Sequence, residues 1–121
     1  MEFSMPDLPD HPNTFRPEKF AVFKPEKMGK STIFESDRML VGLNSFMPGQ
    51  EHGLHAHEGM DKVYHVLSGR GRFLLEDREL AMEPGLMLVA PSGIPHGIRN
   101  DGDENLIVIA ILAPGPSASP K

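Results

Sequence analysis

Short apolar runs separated by clusters of Gly, Pro, Asn and Asp set the rhythm of this chain. The runs are Met39 to Met47, Lys62 to Leu67, Arg72 to Glu76, Leu86 to Ala90 and Leu106 to Leu112. Each has the length of a strand and no amphipathic helical stretch stands among them, so the pattern predicts an all-β domain, a sandwich or a barrel. Leu106-Ile107-Val108-Ile109-Ala110-Ile111-Leu112 is apolar at every position. That fits a strand covered on both faces, in a sandwich interior or at a subunit interface. Ser68-Gly69-Arg70-Gly71 reads as a hairpin turn, because glycine takes the positive φ that tight turns require. Asp101-Gly102-Asp103 reads as a second turn of the same kind, and Glu76-Asp77-Arg78-Glu79 as an exposed one.

The ends differ from this middle. Pro6, Pro9, Pro12, Pro17 and Pro25 interrupt the first thirty residues, removing backbone donors too often for a helix or a central strand. An extended N-terminal arm over residues 1–30, with room for one edge strand, is expected. Residues 114–121, Pro-Gly-Pro-Ser-Ala-Ser-Pro-Lys, carry no large apolar side chain to offset the entropy of ordering them and are expected to form a disordered tail. The barrel would then occupy residues 31–113.

At 121 residues the chain suffices for one core, burying roughly two-thirds of its unfolded surface. Twelve Lys and Arg are dispersed through a chain of net charge −5, which argues against nucleic acid, since no basic block is available to neutralise phosphates. Small molecules and further copies of the chain are the expected partners. No run of about eighteen apolar residues exists, and the start lacks the basic-then-apolar order of a signal peptide. No membrane association and a cytoplasmic location are therefore expected. The chain has no cysteine, which leaves histidine and carboxylate as the strong metal ligands.

His55-Ala56-His57 is the sharpest chemical feature. Two residues apart on a strand, both imidazoles would point to one face and could reach one ion. His96 could supply a third donor, because it follows Gly93-Ile94-Pro95, a proline-fixed turn able to aim an imidazole into a barrel mouth. Three neutral imidazoles suit one divalent ion, with Fe, Zn, Mn, Ni and Cu all candidates.

The surrounding residues resemble the two motifs of the cupin family. The first runs Gly49, five residues, His55-x-His57, four residues, Lys62, six residues, Gly69; the second runs Gly85, five residues, Pro91-x-Gly93, two residues, His96, three residues, Asn100. The resemblance spans about Met39 to Ala113 and implies a double-stranded β-helix, or jelly roll, with a metal inside the barrel on His55, His57 and His96. It departs from the family at Lys62, where a glutamate usually serves as fourth ligand. A protonated lysine has no lone pair for a cation. Three outcomes follow: a three-histidine site with open positions, which the sequence favours; a substitute carboxylate from Asp61 or Glu58; or a weakened or empty site.

Lys62 and Tyr64 share a strand face and are the candidate catalytic residues, Lys62 to bind an anion or an oxyanion and Tyr64 to donate its hydroxyl. Pairing with a carboxylate or extension into solvent for Lys62, and core packing for Tyr64, are the plainer alternatives. By parity His65 points away from the site, while His52, three residues before His55, and His11 in the arm are expected in solvent. Met39, Met47, Met60, Met82 and Met87 read as core filling or as the lining of an apolar cavity. Gly69, Gly85, Pro91, Gly93 and Asn100 read as structural, with Asn100 satisfying loop backbone groups.

The resemblance implies a metal-dependent enzyme of dioxygenase, isomerase or decarboxylase type acting on a small organic molecule, dioxygenation being the commonest chemistry of three-histidine sites. The alternatives are a binding or sensing module with a structural or vacant metal site, and a barrel that serves assembly. A homodimer is expected in each case.

Overall fold

The computed structural model describes residues 13–116. Among them one turn of 3-10 helix, Pro17–Phe20, precedes nine strands: β1 (Gly29–Glu35), β2 (Leu40–Phe46), β3 (Glu51–His55), β4 (Asp61–Ser68), β5 (Gly71–Leu74), β6 (Glu79–Met82), β7 (Met87–Ala90), β8 (His96–Arg99) and β9 (Leu106–Ala113). They form a five-stranded sheet of order β1-β2-β9-β4-β7 and a four-stranded sheet of order β3-β8-β5-β6. All pairings are antiparallel. Consecutive strands pair only at β1–β2 and β5–β6, and every other connection passes from one sheet to the other. This is the jelly roll that the resemblance implied. No described helix is long and apolar enough to cross a membrane.

The topology corrects the reading of two turns. Ser68-Gly69-Arg70-Gly71 joins β4 to β5, which lie in different sheets, and Asp101-Gly102-Asp103 joins β8 to β9 in the same way. Neither closes a hairpin. The turn chemistry itself holds, since Gly69 has a φ of 84°, but a tight turn does not specify whether its flanking strands pair or cross over.

Alternation decides what the barrel encloses. On β4, Lys62, Tyr64 and Val66 are buried, whereas Val63, His65 and Leu67 are only partly covered. The interior rows run across strands, with Leu40, Leu112, Lys62 and Ala90 in one and Gly42, Ala110, Tyr64 and Leu88 in the next. Further along, Phe46 and Leu106 pair and meet Phe73, Met82 and Ile98 from the opposite sheet in the core. The outer face of the five-stranded sheet carries the rows Val41–Ile111–Val63–Val89 and Leu43–Ile109–His65–Met87. Val89 is 60 % and Met87 58 % exposed, so of the five methionines only Met82 belongs to this core and Met87 stands outside it.

Of the expected arm, residues 13–28 are described and lead Met28 into the core; His11 lies outside the described residues. At the other end Gly115 is buried, and a Cβ there would come within 3 Å of the carbonyl oxygens of Ser36 and Met39. The chain therefore stays packed on the β1–β2 connection beyond β9.

Asn100 ties the end of β8 to its neighbours. Fully buried, its Nδ2 donates to the carbonyls of Phe46 at 3.1 Å and Glu104 at 2.8 Å, and its Oδ1 accepts from the Gly102 amide at 3.0 Å. This bears out its reading as a residue that satisfies loop backbone groups. Asn100→Ala would remove the side-chain partner of the buried Phe46 carbonyl and of two part-buried loop groups and should cost about 2 kcal/mol in urea denaturation, whereas a loss below about 0.5 kcal/mol would show that the loop re-forms those bonds without it.

Candidate functional site

The pairing of β3 with β8 sets His55 directly opposite His96, and the two rings lie 4.3 Å apart. Backbone carbonyls select their tautomers. The Nδ1 of His55 is 2.9 Å from the Gly53 oxygen and that of His96 is 2.9 Å from the Ile94 oxygen. A carbonyl only accepts, so each Nδ1 carries the proton and each Nε2 presents a lone pair to the barrel interior.

Two donors from β4 meet those lone pairs. The Lys62 ammonium donates to His55 Nε2 at 3.0 Å and the Tyr64 hydroxyl donates to His96 Nε2 at 3.2 Å. Lys62 is 5 % and Tyr64 2 % exposed. Among the described residues no carboxylate lies within salt-bridge distance of Lys62. Burial, followed by the charge of Lys30, lowers the Lys62 pKa to about 8, which keeps it protonated at neutral pH. Burial also raises the Tyr64 phenol, which stays a donor.

His57 lies beyond the end of β3, so strand alternation does not orient it. It is exposed, its ring 5.5 Å from that of His55, and its carbonyl accepts from the Gly93 amide at 3.0 Å, joining the two motif loops. The structure thus brings His55, His57, His96, Lys62 and Tyr64 to one end of the barrel. It leaves His65 on the outer face of β4. Asp61 is exposed with Oδ1 on the Ser92 amide at 2.9 Å, and Glu58 is exposed with its carboxylate against Gly93. Neither carboxylate stands in for the missing glutamate.

His52 corrects the sequence reading. It is half-buried and stacks on His55 at 4.1 Å, and it lines the barrel mouth beside Lys30 and Lys62. The cause is a register shift between His52 and His55 in the β3–β8 ladder, because a bulge breaks the two-residue period and brings a residue three positions away to the same side. Nothing in the sequence marks that bulge beyond Gly53.

All four imidazoles are held neutral. Burial, aided by neighbouring positive groups, lowers His52 to about 4. Burial and the nearby Lys62 outweigh the Gly53 carbonyl and bring His55 to about 4 as well. Burial first, and then Lys62, lowers His57 and His96. Neutral imidazoles with inward lone pairs are the right donor chemistry for a divalent ion. Their arrangement is not: the Lys62 ammonium sits against one of the lone pairs, and no three His, Asp or Glu side chains of the described residues converge on a common metal position. As arranged, the residues do not fit a metal.

Comparisons with known proteins agree with the fold and the motifs. The family model described as the cupin domain matches residues 42–112. A Thermus thermophilus protein of known structure is 39 % identical, with a TM-score of 0.78, covering 82 % of this chain and 94 % of its own. A Klebsiella pneumoniae protein with a double-stranded β-helix domain has a TM-score of 0.82 at 24 % identity, covering 87 % and 92 %. The oxalate-binding protein of Thermotoga maritima is 27 % identical over 104 residues, 86 % of this chain and 85 % of that one. With the family's domain model spanning most of the barrel and both motif loops built as strand connections around His55 and His96, the chain belongs to the cupin domain family.

Proposed function

We propose that this cupin is a small-ligand-binding module whose barrel holds an organic anion against the Lys62 ammonium. The observation that carries the reading is a buried cation with no carboxylate partner among the described residues, hydrogen-bonded to a neutral imidazole. Burying an unpaired charge is costly, and a bound carboxylate would supply the missing partner. Lys24, Lys27 and Lys30, also without a carboxylate partner among the described residues, line an adjoining cavity with His52. They would draw anions toward the mouth in a chain of net negative charge. The oxalate-binding relative supports a small carboxylate as ligand. Lys62 then binds the anion, and Tyr64 positions His96.

A metal centre on His55, His57 and His96, with the dioxygenase, isomerase or decarboxylase chemistry it would support, is the second reading. The inward Nε2 lone pairs of His55 and His96 favour it. It requires Lys62 to withdraw from His55. Self-association through the outer face of the five-stranded sheet belongs to either reading, with Val89 and Met87 as its exposed apolar residues.

Two measurements test these statements. In EDTA-treated protein, calorimetric titration should detect oxalate or acetate binding, weakened about 30-fold or more in Lys62→Met. Binding that requires added metal, or that Lys62→Met leaves intact, would sink the anion reading. Elemental analysis of untagged protein should find little metal in the wild type and close to one equivalent in Lys62→Glu, which restores the family's carboxylate. Stoichiometric wild-type metal lost in His96→Ala would establish the second reading instead.

The neutral histidines also set a pH dependence of stability. His52 and His55 titrate at about 4 when folded, against 6.5 ordinarily, so the unfolded chain binds more protons between those values and stability rises with pH across the window. Their contribution is complete above about pH 6.5 and is lost as pH falls toward 4. Thermal midpoints should drop between pH 6.5 and 5, where few carboxylates titrate, and His52→Gln should flatten that slope. A flat wild-type profile would mean that these rings take up protons freely in the fold.

A further inference from the structure

The inward rows of the five-stranded sheet change abruptly in size. Leu40 and Leu112 face each other at the mouth, Gly42 and Ala110 stand in the next row, and Asn44 and Val108 in the one after. The two small residues leave a cavity of about 200 Å³, with Lys62 and Tyr64 on its β4 side. Near-empty apolar space costs a fold contacts it could otherwise make. A void of roughly 150 Å³ with apolar walls accommodates a benzene-sized body.

Asn44 gives this cavity a second polar end. It is 8 % exposed and lines the same cavity. Its side-chain amide makes no hydrogen bond with the described residues, whereas the buried Asn100 uses its amide fully. An amide that faces a cavity without a protein partner is met only by what the cavity holds, and the unpartnered hydroxyl of Ser31 lines the same space.

Resting on the reading of Lys62 as the anion anchor, we propose that the ligand is a short hydroxy- or oxo-carboxylic acid. Its carboxylate lies on Lys62, its carbon body fills the space over Gly42 and Ala110 between Leu40 and Leu112, and its remote oxygen pairs with the Asn44 amide. A bare dianion such as oxalate has no carbon body to fill this space. Asn44 is then the residue that determines specificity, since a site built to hydrogen-bond a ligand oxygen discriminates against the analogue lacking it.

The test is calorimetric titration with hydroxy- and oxo-acids of three to seven carbons, each paired with its deoxy analogue, and with acetate and oxalate as references. The best oxygenated acid should bind roughly tenfold tighter than its deoxy partner, and that partner roughly tenfold tighter than acetate. Asn44→Leu should bring the first ratio to about one, and Ala110→Leu, which fills the cavity, the second. Asn44→Val matches Val108 and Val66 in the same row and serves if the leucine variant does not fold. Acetate or oxalate binding with neither preference, or a preference for oxygen that survives the Asn44 variants, overturns this inference while leaving Lys62 as the anion anchor. Binding of no anion at all overturns both.

Discussion

The register of β4 against β9 and β7 places Lys62 inside the barrel, and much of the site answers to that one buried charge. Sheet parity fixes it: Lys62 shares a face with Tyr64 and Val66, and a slip of one residue would turn His65 inward instead and expose Tyr64. Once the ammonium is enclosed, its three N–H donors need acceptors. The one the described residues supply is His55 Nε2. It is available because the Gly53 carbonyl holds the proton on Nδ1. A backbone carbonyl two residues away thus decides whether a lysine can be tolerated where the family usually has a carboxylate.

The same tautomers would serve a metal, which explains how the histidines can remain while the fourth ligand changes. An inward imidazole lone pair can be given to a metal cation or can accept a hydrogen bond from an ammonium or a phenol. Lys62 and Tyr64 take these positions at His55 and His96. Exchanging glutamate for lysine reverses the charge at the centre of the site and leaves the surrounding geometry usable. On the anion reading, the site's electrostatic preference moves from cations toward anions, and the lysines at the mouth, without a carboxylate partner among the described residues, extend it outward.

Much of the fold was legible because its strands are driven by burial. The expected runs at Met39–Met47, Lys62–Leu67, Arg72–Glu76, Leu86–Ala90 and Leu106–Leu112 coincide with β2, β4, β5, β7 and β9 to within a few residues. Strands β1, β3, β6 and β8 were not distinguished by their pattern. They are short or lie at sheet edges, and they hold residues such as Gly29-Lys30-Ser31 and Glu51-His52-Gly53 whose place is set by pairing rather than hydrophobicity. The two motifs located His55, His57 and His96, and the departure at position 62 was visible as a substitution. His52 was not accessible, since its role arises from a bulge. Asn44 was hidden for another reason: one polar residue within an apolar run carries no sign of which neighbours are small enough to leave space around it.

Lys62 and Asn44 are both places where the interior departs from what stability alone would select. A methionine at 62 and a valine at 44 would fit their rows without an unpaired charge or an unpaired amide, whereas the buried Asn100 has partners at both ends of its amide. Both departures line one cavity, beside the small residues Gly42 and Ala110, and the unpartnered buried hydroxyl of Ser31 lines it as well. Local rules tend to be broken where a ligand restores the balance. On the proposed reading, the last charge partner, hydrogen bond and apolar contacts of this interior are all left for one small molecule to provide.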